Sequence, residues 1–137
     1  VLSKPPLLES CWREIRRLEL SGHWRARSAV VMPDHLHLLA TLQGPHSVSD
    51  VVRLLKGRLA PLLRAESAAW QPGFYDHRLR EGEAVRPVFD YIALNPYRAG
   101  LCPAGKPWPG YHCAEEDWRW YAPLLGQGGL PEPEWLR

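Results

Sequence analysis

The sequence predicts an α+β domain: an antiparallel sheet with helices packed on it. Three observations carry that expectation. Apolar residues recur at helical spacing in separate segments. Between the first two segments lie strand-like runs parted only by Pro33-Asp34. The full order of helix, hairpin, helix, strand, helix is that of a sandwich. At 137 residues the chain suits one domain with a single core, and 45% hydrophobic with 23% charged residues is ordinary for a globular protein.

The first helix is expected from Leu7 to Leu20, where Leu7, Leu8, Cys11, Ile15 and Leu18 share a face and Ser21-Gly22 ends the run. Trp24 to Met32 reads as a strand and Pro33-Asp34 as a tight turn. His35 to Leu42 then returns as the second strand of a hairpin, broken at Gln43-Gly44-Pro45. Ser47 or Ser49 can cap the next helix, which continues through Val51, Val52, Leu54, Leu55, Leu59 and Leu62-Leu63. Pro61 within it predicts a kink or an early end. Phe74 to Arg80 is a short strand candidate, and a third helix is expected from Glu83 to Asn95, stopped by Pro96. Beyond Gly100 the chain is rich in Pro, Gly and Trp, with weak periodicity. It reads as a wrapping tail with a short helix near Ala114 to Tyr121. The expected division is a domain over 1–112 and a tail over 113–137.

A net charge of +2 is too small to establish a nucleic-acid partner, but its basic residues are mostly Arg, which grips phosphate bidentately and stacks on bases. The seven Trp are expected mainly in the core and at its rim, with Trp70 anchoring its loop. Cys11, Cys102 and Cys113 have no disulfide-framework spacing, and Cys102 with His112-Cys113 lacks the paired short spacings of a zinc site. With no signal peptide and no long apolar run, a reducing cytoplasm is the default expectation. The chain opens on Val1 without an initiator Met and is read as N-terminally incomplete.

The most informative run is Val30 to Leu39. Side chains alternate along a strand, so His35 and His37 point one way while Leu36 and Leu38 point the other. Two imidazoles on one rigid strand suit a divalent metal or a phosphate undergoing displacement; the plain alternative is a structurally hydrogen-bonded pair. On the third helix, Val85, Phe89, Ile92 and Ala93 form an apolar stripe, and Tyr91 and Asn95 lie together on another face. Tyr91 can attack a phosphodiester as its phenolate, and Asn95 can supply an oxygen ligand to a metal held by the histidines.

Met32-Pro33-Asp34-His35-Leu36-His37-Leu38-Leu39 resembles the HUH motif of single-tyrosine transposases, especially the REP-associated tyrosine transposases. The resemblance continues through Arg53-Leu54-Leu55-Lys56-Gly57-Arg58 and Trp70-Gln71-Pro72-Gly73-Phe74-Tyr75-Asp76-His77-Arg78-Leu79-Arg80. It is strongest in Asp90-Tyr91-Ile92-Ala93-Leu94-Asn95-Pro96-Tyr97-Arg98-Ala99-Gly100-Leu101, and Trp108-Pro109-Gly110-Tyr111 is similar to the aromatic segment that follows. It implies a ferredoxin-like HUH nuclease fold, here expected to lack the family's N-terminal strand. The implied activity is a metal-dependent single-strand DNA endonuclease and strand transferase. Such an enzyme cleaves beside a palindromic hairpin and leaves a 5′-phosphotyrosine and a free 3′-hydroxyl. By motif position, Tyr91 is implied as nucleophile, and His35, His37 and Asn95 as ligands of Mg²⁺ or Mn²⁺. Arg53, Lys56, Arg58, Arg78, Arg80 and Arg98 are candidates for DNA contact, mainly to phosphates. The expected partner is single-stranded DNA with hairpin elements, bound by a monomer.

Asp34 departs from the family, which usually has Asn in that turn. Histidine-triad hydrolases are disfavoured because Leu39 stands where a third histidine is needed. The alternative from another functional class is a domesticated hairpin-binding protein that no longer cuts.

Overall fold

The computed structural model describes residues 2–70, 79, 83–126 and 130–131. Helix α1 (Pro5–Leu20) begins on two prolines at its first positions, where the missing N–H groups have no intrahelical partner to lose. It stops at Ser21-Gly22. Gly22 takes a positive φ of 78°, and the next amide, His23 N–H, donates back to Leu18 O at 2.9 Å. Strands β1 (Trp24–Val31) and β2 (Leu36–Leu42) form the expected antiparallel hairpin, closed by Met32 N–H to His35 O at 2.8 Å across Pro33-Asp34.

Helix α2 (Val48–Ala65) is capped by Ser47, whose Oγ accepts from Asp50 N–H at 3.1 Å. It neither ends early nor stops at Pro61. The proline and Gly57, whose carbonyl loses its partner, are both exposed, so water can take the missing bond. Helix α3 (Arg86–Arg98) departs from expectation at both ends. Pro87 sets its start in the first turn, and Pro96 lies within the last turn rather than stopping the helix. Only one backbone bond is lost there, and Gly100, at φ 74°, makes the actual stop.

The tail contributes a strand that its short length hid. Strand β3 (Tyr111–Cys113) pairs antiparallel with β1, giving the order β2-β1-β3 with β1 in the centre. Helix α4 (Glu115–Tyr121) follows as expected. The strand expected from Phe74 to Arg80 lies outside the described residues, apart from Leu79. Among the described residues no helix is long and apolar enough to cross a membrane.

The sheet separates two layers. On one face, Leu7, Cys11, Ile15 and Leu18 of α1 pack with Val51, Leu55, Leu59 and Leu63 of α2 over Trp24, Ala26 and Val31. Leu36, Leu38 and Ala40 of β2 join that face, as the alternation predicts. On the other face, Ile92 of α3 packs with Val30 and Met32. A register shift between Ala26 and Ser28 inserts Arg27 unpaired, which reverses the parity of β1. Beyond it Val30, not Val31, faces α3, and Val30 is the residue paired with His37.

Candidate active site

His35 closes the turn and His37 is the second residue of β2. Their common face lies on the α3 side of the sheet. Their Nε2 atoms are 3.1 Å apart and the rings meet edge to face. Asp34 Oδ1 lies 2.6 Å from His35 Nδ1, and a carboxylate can only accept, so His35 donates from Nδ1. This fixes the tautomer and leaves His35 Nε2 as a lone pair, the arrangement in which a carboxylate orients a metal-ligating histidine. The hydrogen bond from His35 is the largest influence on the Asp34 carboxyl and holds it below its ordinary range. Burial, and then the neighbouring His35, lowers the pKa of His37 and so favours its neutral, ligating form.

Helix α3 brings Tyr91 to this pair. The Tyr91 ring is 5.5 Å from that of His37, edge to face, and the residue is exposed (45%). Arg98, two turns on, places its guanidinium 4.8 Å above the Tyr91 ring. Asn95 sits one turn after Tyr91 but is turned inward, with 9% exposure. The hydrogen bonds of the site join Asp34, His35 and His37, and Asn95 is outside that set.

The two nitrogens fit a cation. Adjacent ligands of an octahedral ion with bonds of about 2.1 Å are about 3.0 Å apart, close to the 3.1 Å between the Nε2 atoms. Among the described residues no group of three or more His, Cys, Asp or Glu could hold a metal ion.

The remaining basic candidates are spread out. Arg53 pairs with Asp50 within α2, and Arg58 lies 3.7 Å from Glu14 of α1. Lys56 stands near Trp70 on the outer side of α2, and Arg78 and Arg80 lie outside the described residues. Sequence reasoning passed over the residues that hold α3 in place. Tyr121 of α4 donates to Asp90 at 2.7 Å, and Arg27 reaches Asp117 through two bonds of 2.7 and 3.1 Å. Their only sequence signal was the unexplained aromatic load of the tail.

The family model described as "Transposase IS200 like" matches residues 1–93, a stretch that includes His35, His37 and Tyr91. The chain belongs to the IS200-like transposase family. Within it, this IS200-like chain is 32% identical over 81 residues to a REP-associated tyrosine transposase of Escherichia coli (strain K12), covering 58% of this chain and 48% of that protein. A Haemophilus influenzae relative of the same kind is 28% identical over 93 residues, covering 58% of this chain and 53% of that one. The chain thus spans about half the length of the curated relatives it matches. Its fold is similar to a solved REP-associated tyrosine transposase bound to a REP hairpin. The TM-score is 0.62 at 26% identity, over 74% of this chain and 61% of that one.

Proposed function

We propose that this chain carries the cleavage centre of a metal-dependent single-strand DNA endonuclease and strand transferase that acts beside palindromic hairpins. One observation carries the reading: an exposed tyrosine from α3 stands against a histidine pair whose Nε2 atoms converge to 3.1 Å. A structural histidine pair has no need of a reachable phenol beside it.

Tyr91 is the nucleophile. Its oxygen forms a bond to phosphorus, the bond from phosphorus to the 3′ oxygen breaks, and the products are a 5′-phosphotyrosine and a 3′-hydroxyl that takes up a proton. Reversal by another 3′-hydroxyl transfers the strand. His35, His37 and the Asn95 amide would hold Mg²⁺ or Mn²⁺, which when bound neutralises phosphate charge and polarises phosphorus towards displacement. Asp34 fixes His35 with Nε2 towards the centre, and Arg98 offers a phosphate-binding guanidinium next to the attacking ring.

The partner expected is single-stranded DNA with hairpin elements; the solved relative is bound to a REP hairpin. The test is incubation of the protein with labelled hairpin oligonucleotides and Mn²⁺. A covalent protein–DNA band that disappears in Tyr91→Phe is expected. Tight hairpin binding with no such band under any divalent metal would leave a binding protein that does not cut.

A further inference from the structure

Helix α2 has an outer feature that its packing does not require. Gly57 lies in mid-helix, where glycine costs about 1 kcal/mol relative to alanine. A Cβ built there would meet nothing within 4 Å, so no neighbour demands the glycine. It floors an open cleft of about 410 Å³ whose lining includes Val52, Arg53, Lys56, Ala60 and Trp70. The core contacts of α2 run through Val51, Leu55, Leu59 and Leu63, so this cleft occupies a separate face of the helix.

Trp70 forms one wall and is held in place. Its Nε1–H donates to Lys56 O at 3.0 Å, while the ring packs at the rim of the core. The Lys56 ammonium is 5.9 Å from the ring centroid, near the outer limit of about 6 Å for a cation–π contact. An open apolar cleft, one aromatic wall, and Lys56 with the Asp50-paired Arg53 beside it form a set that matches one unpaired nucleotide. The base fits the slot against Trp70, and its phosphates meet Arg53 and Lys56. An acidic peptide would use the cations but leave the aromatic slot idle.

We propose that this cleft is a second DNA-binding site, which holds one unpaired nucleotide of a single strand on α2, on the other side of the sheet from Tyr91. It rests on DNA being the partner of the chain. The experiment compares a short oligothymidylate with an abasic oligomer of the same length, which keeps the phosphates and lacks the bases. The protein and its Gly57→Leu variant are titrated with both. Leucine favours the helix, keeps every charge and fills the slot, so the thermal midpoint of the variant is expected at or above that of the parent protein.

The parent protein should bind oligothymidylate about tenfold more tightly than the abasic oligomer, and Gly57→Leu should erase that difference. Equal binding of the two oligomers by the parent protein, or an undiminished preference in Gly57→Leu, overturns the proposal. The Tyr91 adduct is scored separately on hairpin DNA with Mn²⁺. An adduct without base-dependent binding overturns the cleft alone. Base-dependent binding that Gly57→Leu removes, with no adduct, supports the cleft and overturns the cleavage reading.

Discussion

The two faces of the central strand β1 are built on different principles. Towards α1 and α2 the contacts are hydrocarbon: Leu18, Val51 and Leu59 are fully buried, and they meet Val31 and the leucines of β2. Towards α3 and α4 the apolar cluster is small, and directional contacts take over. Arg27 holds Asp117 and stacks over Phe89, Tyr121 holds Asp90, and His37 meets Tyr91. Hydrocarbon packing sets how closely a helix approaches but constrains its rotation about its own axis weakly. A hydrogen bond to one residue of the helix sets the rotation too. Asp90 and Tyr91 are consecutive, so tying Asp90 to α4 aims Tyr91 at β2. One face thus supplies stability and the other supplies aim.

The largest expected effect isolates the aimed side chain. Tyr91→Phe should lower adduct formation by about 10⁴-fold or more. Its thermal midpoint should stay unchanged, because the hydroxyl is on an exposed side chain. A residual adduct at the parent rate would remove Tyr91 from the chemistry. On the hydrocarbon face the reverse pattern is expected. Leu59→Ala leaves a cavity at a site with no exposure, and should cost about 2–5 kcal/mol in urea unfolding. Adduct formation per folded molecule should be retained. Tyr121→Phe falls between them. Loss of its bond to Asp90 should cost about 2 kcal/mol, yet slow adduct formation by more than the unfolded fraction accounts for. If the rate follows the folded fraction alone, Tyr121 holds α4 and does not aim Tyr91.

How much of this was legible in the sequence follows from the range of each interaction. The hairpin and the shared face of His35 and His37 rest on a two-residue period and a tight turn, so they could be read directly, and the structure places both as expected. The four helices were also readable. The limits of α3 were not, because a proline in the first or last turn removes little and its position relative to the ends is not local information. Strand β3 has three residues, too few for alternation to show. It exists because Val31 N–H donates to Gly110 O at 2.8 Å and Trp108 Nε1–H donates to Val31 O at 3.0 Å. A Cβ on Gly110 would stand 2.5 Å from Val31 O, which explains why the aromatic segment carries a glycine there. The bulge at Arg27 was hidden as well, and the partner of its side chain, Asp117, lies far along the chain. Tyr91 and Asn95, four apart, were expected on one face. The structure exposes Tyr91 and turns Asn95 inward, a difference set by what packs beside α3.

The smallest expected effect is a change of slope with pH, and it tests the polar face by its charge. The Asp117 side chain is 4% exposed and accepts two bonds from Arg27 and one of 2.9 Å from Trp120 Nε1–H. Burial raises its pKa, but the hydrogen bonds from Arg27 and Trp120 and the charge of Arg27 outweigh burial, so the carboxyl titrates below its ordinary range. The unfolded chain returns it to about 3.9. A folded value below the unfolded one means that the carboxylate stabilises the fold fully above about pH 4, and that this part is lost as the pH falls through the folded value. Thermal midpoints measured from about pH 5 down to about pH 3 should therefore fall more steeply for the parent protein than for Asp117→Asn, which has no proton to take up. Glu116→Gln is the control: its pair with Arg25 is exposed on both sides and should leave the slope unchanged. Equal slopes for the parent protein and Asp117→Asn would show that Arg27 and Asp117 clamp α4 by shape alone, and the contrast between the two faces of β1 would lose its electrostatic part.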